Sequence, residues 1–359
     1  MAYTSIDDPS VYFQTALWTG TNAKDKVITN DGNSDLQPDW IWAKSRTNTS
    51  YTDNYFSVDS SRGRLKGLVP NDNSTETTTT GTTEQQAERD LQSFDTDGLT
   101  VGIVNSTAAL NAGSASLVGW QWKANGGTTS TNSDGDINST VQANTTAGFS
   151  IILDSPSNNT ARNIGHGLGK TPTFIIRRAR NRAENWRVLF EGFGTTGAIN
   201  LDSEGTYNSN TVLFNGVSST TFGVGTDFSV NGGYNYVTYC FTDIQGFSKS
   251  GKYIGNANTN GPFIHTGFKP AWVIIKANSN YKYWNIFDNK RNTLNPVDKR
   301  LAPSLTAAED TVSSIDFLSN GFKIRNSGTT LNESGTTISY FAIAENPFVT
   351  STGIPTTAR

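Results

Sequence analysis

The residues of this sequence that could do chemistry are few and scattered. The chain of 359 residues contains two histidines, His166 and His265, and one cysteine, Cys240. A disulfide or a zinc cluster needs more than one cysteine, and histidine catalysis needs a carboxylate held at a fixed distance. No carboxylate accompanies both histidines at the same spacing. We therefore predict no catalytic residues, no cofactor and no metal site, and we interpret both histidines as turn residues that bond local backbone.

Two short motifs resemble ligand-binding loops without completing them. The segment Gly165–Thr171 has one residue too few between its glycines for a phosphate loop, and Pro172 leads it into a strand instead of a helix. The acidic pairs in Asp95–Gly98 and Asp134–Asp136 lack the terminal glutamate of a calcium loop. We predict that all three segments are turns.

A third motif combines an acid and a base three residues apart. Asp59 precedes Arg62, and Asp288 precedes Arg291 at an equivalent place in the chain. An aspartate at a strand end commonly bonds an arginine of the following turn, so the spacing predicts a structural lock and not acid catalysis.

The elements that hold these residues belong to a repeated unit. An aromatic–Ile–Ile–basic run follows Pro172 and, with substitutions, recurs after Pro270, 98 residues later. Trp186 recurs as Trp284 at the same offset, and a third copy begins after Pro38. A common offset for independent anchors indicates three divergent copies of a unit of about 100 residues, which is an ordinary domain size.

Each copy ends in an alternating apolar segment. These segments are Val118–Trp122, Val237–Phe241 and Ile338–Ala342, and the alignment places Trp120, Tyr239 and Tyr340 at equivalent positions. Alternation with a period of two is typical of a strand. With 34 glycines and only 16% charged residues, the chain is predicted to be all-β, built of three tandem, divergent, antiparallel β-sandwich units of jelly-roll or lectin-like type.

The repeats set the domain boundaries. We predict sandwich units at 1–124, 148–245 and 246–359, the last with a C-terminal tail, and a Gly/Ser/Thr/Asn-rich linker at 125–147. Because no linker separates the second and third units, we expect them to pack more closely on each other than on the first.

Aromatic residues divide into predicted core and predicted surface. Four tryptophans in repeat-equivalent strands are expected to be buried: Trp40, Trp186, Trp272 and Trp284. Trp18, Tyr51 and Tyr55 lie in predicted turns, and because tryptophan and tyrosine stack on sugar rings they are the candidate surface and adhesion contacts.

One long polar stretch separates strands of the first copy. Residues Asn71–Arg89 are predicted to be an arm that docks on a neighbouring subunit. The segment Thr83–Leu91, which overlaps the end of this arm, is compatible with a short exposed helix or a loop.

Charge and hydropathy exclude two kinds of partner. A net charge of −3 and a pI of about 5.5 provide no basic face for nucleic acid. No apolar run approaches the roughly 18 residues of a membrane span, and the N-terminus lacks the pattern of a secretory signal. We predict no nucleic-acid partner and no membrane insertion.

Four sequence blocks carry a resemblance to a known family. The blocks Pro38–Arg46, Phe94–Gly98, Leu117–Gly126 and Gly165–Pro172 resemble an uncharacterised repeat family in virion proteins of marine tailed bacteriophages, notably those of cyanobacteria. The resemblance runs through most of residues 12–348 and is weakest in the second copy, which lacks the Asp-x-x-Arg pair. It implies a virion structural component and provides no catalytic residue to carry over.

From this resemblance we predict a non-enzymatic virion protein, assembled in the bacterial host cytoplasm, to which a chain without cysteine pairs is suited. It would be tail-associated, as a fibre, tip or adaptor-bound component, and act in assembly and host-surface adhesion. Its expected partners are other virion proteins, copies of itself in a homo-oligomer and a host surface glycan. Two alternatives stay open. One is a capsid decoration or cement protein; the other is a glycan-binding or glycan-degrading tail protein, and a glycan-degrading one would need a catalytic carboxylate pair.

Overall fold

The computed structural model of the chain describes residues 2–47, 54–78, 90–103, 110–279 and 281–356, and within them nearly all regular structure is β. A 3₁₀ turn at Pro9–Val11 and a short helix α1 at Thr329–Asn332 are the helical elements of these residues. The strands are β1 (Phe13–Thr19), β2 (Lys26–Ile28), β3 (Trp40–Ser45), β4 (Tyr55–Asp59), β5 (Lys66–Gly67), β6 (Thr77–Thr78), β7 (Leu91–Asp95), β8 (Gly98–Val101), β9 (Ser116–Trp122), β10 (Ser130–Asn132), β11 (Ser139–Asn144), β12 (Phe149–Asp154), β13 (Arg162–Gly165), β14 (Phe174–Ala179), β15 (Arg187–Phe190), β16 (Ile199–Asn200), β17 (Phe214–Val217), β18 (Thr221–Val224), β19 (Tyr236–Phe241), β20 (Ser248–Ile254), β21 (Phe263–His265), β22 (Phe268–Ala277), β23 (Asn285–Asp288), β24 (Ile315–Leu318), β25 (Gly321–Ile324) and β26 (Thr337–Pro347).

The strand order repeats three times. One sheet of each unit has the order β1-β9-β3-β4, β12-β19-β14-β15 or β20-β26-β22-β23, and the second sheet has the order β2-β8-β7, β13-β18-β17 or β21-β25-β24. All neighbouring strands in these sheets are antiparallel. The predicted all-β class with several antiparallel sandwich units is therefore confirmed.

Each unit has a core between its two sheets. Alternate side chains of the larger sheet point into this core, where they meet the three-stranded sheet. Representative buried residues are Ile41, Leu99 and Leu117 in the first unit, Ile175, Phe222 and Cys240 in the second, and Val273, Phe322 and Ile338 in the third.

The opposite faces of the three larger sheets meet in one further core. Its aromatic members come from every unit: Phe13, Trp40, Trp42, Tyr55, Trp120, Trp122, Phe149, Phe174, Trp186, Phe190, Tyr239, Phe241, Phe247, Trp272, Trp284 and Phe341. We call this cluster the shared core. Because each larger sheet is buried on both faces, its central strands are apolar or buried along their whole length, as in β3, β14 and β22.

The shared core joins the first unit to both others. The ring of Trp40 stacks on Tyr239 of the second unit with centroids 4.1 Å apart, and Trp122 meets Trp272 of the third edge-on at 5.7 Å. The sequence predicted that the second and third units would pack more closely on each other than on the first. Instead, its tryptophans contact both neighbours, so the three units form one body.

Part of the predicted linker is sheet. Residues Ser130–Asn132 and Ser139–Asn144 form β10 and β11, which extend the second unit's larger sheet beyond β12. The expectation of a linker is wrong for these two segments, because backbone pairing needs few apolar side chains and here Val141 supplies the buried contact.

The closing strand of the third copy lies one residue out of the register read from sequence. Ile274 pairs with Phe341 as Ile176 pairs with Tyr239, so Phe341 and not Tyr340 is the structural equivalent of Tyr239. A one-residue shift moves a side chain to the other face of the sheet. Tyr340 accordingly lies in the third unit's own core, while Phe341 lies in the shared core.

Candidate functional site

The two histidines occupy different surroundings. His166 is fully buried, and its Nδ1 accepts the backbone N–H of Leu168 at 3.2 Å while its Nε2 lies 3.3 Å from the carbonyl oxygen of Ser218. Burial lowers the pKa of His166, so the neutral ring is favoured. The bond to Leu168 confirms a turn histidine bonded to local backbone, and the contact to Ser218 ties it to a sequence-distant turn. His265 is exposed at the end of β21.

The motifs that resembled ligand loops are turns. Gly165–Thr171 connects β13 to β14, and Gly167 and Gly169 adopt φ values of 71° and 68°, which glycine tolerates best. Asp97 accepts the backbone N–H of Leu36, and Asp136 accepts the backbone N–H of Asn163 in β13 at 2.7 Å. Within the residues that the structure describes, no group of three or more His, Cys, Asp or Glu side chains could hold a metal ion.

The predicted adhesion contacts are not surface residues where they are described. Trp18 lies in β1, is 8% exposed and donates its indole N–H to the carbonyl of Leu110 at 2.7 Å. Tyr55 begins β4 and is 0% exposed in the shared core, with its ring 6.1 Å from that of Trp42. Their predicted exposure is wrong because both belong to strands, not turns. Tyr51 lies outside the described residues.

The Asp-x-x-Arg pair of the first unit is buried where this unit meets the second. Asp59 Oδ2 accepts Arg62 Nε at 2.5 Å and the hydroxyl of Tyr239 at 2.8 Å. Arg62 also pairs with Glu76 at 3.0 Å, and Glu76 in turn pairs with Arg180 of the second unit at 2.8 Å. The predicted turn lock is present, and it also joins two units.

The same arrangement recurs where the third unit meets the first. Asp288 Oδ2 accepts Arg291 Nε at 2.6 Å and the indole N–H of Trp120 at 3.0 Å. Glu309 pairs with Arg291 at 3.2 Å and with Arg46 of the first unit at 2.9 Å. We call each contact region between two units a seam. The seam between the third and first units therefore repeats the ionic contacts of the seam between the first and second units, with the indole of Trp120 in place of the phenol of Tyr239.

The seam between the second and third units uses aromatic contacts. Trp284 stacks on Phe190 at 6.0 Å and donates its indole N–H to the carbonyl of Asn200 at 2.8 Å. Trp186 makes the equivalent bond to the first unit, at 2.9 Å from the carbonyl of Val69. Each unit thus contacts the next in the same head-to-tail sense, and the third contacts the first, which closes a ring.

The described part of the predicted arm lies on this chain's own second unit. Arg178 donates to the carbonyls of Asn73 and Ser74 at 2.6 Å each, and the N–H of Glu76 donates to the carbonyl of Arg180 at 2.7 Å. Residues 71–78 thus contact the second unit of the same chain, and their contact with a neighbouring subunit stays a prediction. Residues 79–89, which include most of the helix-compatible segment, lie outside the described residues.

A groove lies at the seam between the third and first units. Its main cavity, of about 270 Å³, is lined by residues of β1 and the 31–33 turn on one side and by residues following β23 and ending β26 on the other. A second depression of about 220 Å³ shares Asn289, Lys290 and Glu345 with it. Residue types gave no signal for this groove, because its two walls are more than 200 residues apart in sequence.

Comparison with known proteins identifies one family. A family described as a domain of unknown function (DUF7483) matches residues 8–347, which covers all three units. Comparison with curated proteins and with solved structures finds no match. In the described residues no helix is long and apolar enough to cross a membrane. The chain belongs to the DUF7483 family.

Proposed function

We propose that this protein is a structural component of a tailed-bacteriophage virion, associated with the tail, that acts in particle assembly and host-surface adhesion. The observation that carries the proposal is the closed ring of three like units. Two of its seams hold the same buried network of carboxylate and guanidinium groups, and all three units contribute to one aromatic core. Closed arrangements of like units are the usual architecture of symmetric assemblies, and here one chain supplies all three.

The resemblance of four sequence blocks to virion proteins of marine tailed phages supports the same proposal. A rigid body of this kind presents its loops and seams as binding surfaces, while its larger sheets remain buried. The proposed work is therefore done by surfaces that bind other virion proteins, copies of this chain and a host surface glycan.

The position of the protein on the particle tests the proposal. An antibody against the exposed segment 157–161, visualised with gold on negatively stained virions, should label the tail, and pre-immune serum should not. Label on the shell faces would contradict the tail position and support a capsid decoration protein instead. Purified particles that contain no trace of the chain by mass spectrometry would overturn the virion assignment.

A further inference from the structure

The groove lies at the seam between the third and first units, which we call the third seam. It exists because no covalent connection joins these two units. At the seam between the first and second units, the first seam, Asp39 accepts three backbone N–H groups. They belong to Ala124, Gly126 and Gly127, at 2.7, 2.9 and 2.8 Å. The chain that passes from the first unit to the second therefore fills this place. The third and first units are not consecutive in sequence, so no passing segment fills the equivalent place between them.

The equivalent place at the seam between the second and third units, the second seam, is filled by side chains. Thr173, which follows its strand proline as Asp39 does, donates to Asp243 at 3.0 Å, and Asp243 also accepts the N–H of Ser250 and pairs with Lys249 at 2.5 Å. The third unit has Ala271 at the position of Thr173. A methyl group replaces a hydrogen-bonding side chain, which leaves the cavity of about 270 Å³ open.

The charges that line the groove are already paired. Lys290 contacts Asp31 at 2.7 Å, and Lys269 contacts Glu345. Asp8 accepts hydrogen bonds from the serine residues beside it. Because neither lysine is left without a carboxylate, the groove has no cation free to attract a phosphate, sulfate or carboxylate ligand.

Neutral polar groups, in contrast, are free. The side-chain amides of Asn33, Asn289 and Asn346 line the main cavity and make no hydrogen bond to other described residues. Each amide offers both donors and an acceptor, which matches the paired donor and acceptor capacity of sugar hydroxyls.

The shape of the groove favours more than one ring. The main cavity and the second depression, of about 220 Å³, lie side by side and share Asn289, Lys290 and Glu345 in their walls. The side chain of Leu294, 71% exposed in the second depression, offers an apolar surface for the C–H face of a ring.

We infer that this seam groove binds a neutral oligosaccharide, held by the side-chain amides of Asn33, Asn289 and Asn346. The groove gives the proposed adhesion a ligand class, and its biological role rests on that proposed function. An extended peptide is the other polar occupant of comparable size, and the experiment separates the two.

Saturation-transfer NMR on the full chain tests the inference. The probes are maltose, cellobiose, lactose and mannobiose, with glucose 6-phosphate and glucuronate as anionic counterparts and a hexaglycine peptide as the alternative occupant. We expect saturation transfer to at least one neutral disaccharide and none to the anions or the peptide. Transfer to none of the four disaccharides, or to the anions or peptide alone, would overturn the inference.

Three variants locate the binding. Asn289→Ala combined with Asn346→Ala should weaken binding at least about tenfold, since two hydrogen bonds are lost. Ala271→Thr, which introduces the residue of the second seam, should place a hydroxyl near Glu345 and weaken binding while the melting temperature is kept. Asn260→Ala, an exposed asparagine outside the groove, is the matched control and should bind as the parent does. Equal binding by all variants would contradict the assignment to this groove, whereas the labelling of virions does not depend on it.

Discussion

The clearest structural prediction concerns Trp284, whose indole joins the third unit to the second. We expect Trp284→Ala to lower the free energy of unfolding by about 3–5 kcal/mol, the usual range for a large aromatic side chain removed from a core. The residue is 0% exposed, stacks on Phe190 and donates to the carbonyl of Asn200. Its loss therefore leaves both a cavity and a carbonyl without its partner.

Trp284→Phe separates these two contributions. Phenylalanine keeps most of the apolar bulk and loses the N–H, so we expect a smaller loss of about 1–3 kcal/mol from the unpaired carbonyl of Asn200 and the change of shape. Both variants are compared with the parent by urea unfolding followed by far-UV circular dichroism, at constant denaturant slope. A change below about 1 kcal/mol for Trp284→Ala would refute the burial of this indole at the seam.

Three further predictions follow from single groups and from the inventory of residues. Glu76→Gln should cost about 2 kcal/mol at pH 7, because it weakens charge-assisted hydrogen bonds to Arg62 and Arg180. Although desolvation opposes it, bonding to Arg180 and Arg62 lowers the pKa of Glu76, so the cost in thermal melts should shrink as pH falls below about 4.3, and a constant difference would contradict the reasoning. Burial raises the pKa of Asp202 to about 6, so ionisation of this carboxyl lowers the free energy of unfolding as pH rises from about 4 to 6. Asp202→Asn should therefore raise the melting temperature at pH 7 and leave it unchanged at pH 4. The reverse order would refute the reasoning. The scarcity of cysteine and histidine predicts no structural transition metal, so EDTA should leave the melting temperature unchanged.

The repeated architecture could be predicted from sequence because it depends on local patterns. The proline-initiated strands and the alternating closing strands each bury a period-two face, which is visible in a few residues. The register of the third closing strand could not be predicted. Tyr340 matches Tyr239 in type, but Phe341 is the residue that pairs with Ile274, and it lies in the shared core.

The exposure of single aromatic residues was harder to predict than their type. Trp18 precedes the turn-forming residues 19–22 and Tyr55 follows the polar residues 52–54. Each nevertheless lies in a strand and is buried by sequence-distant partners. The seams pose the same difficulty. Nothing near Asp59 indicates that its carboxylate also meets Tyr239, which lies 180 residues further along the chain. Contacts between units depend on how whole sheets face each other, and local sequence patterns contain no direct record of that.

Cooperativity of unfolding tests the closed three-unit body most directly. If the units share one core and three seams, differential scanning calorimetry should show one transition, with a van't Hoff enthalpy equal to the calorimetric enthalpy. Trp284→Ala should then shift that whole transition to lower temperature. Two or three separate transitions, of which Trp284→Ala moved only one, would show that the units are independent domains and would contradict the shared core.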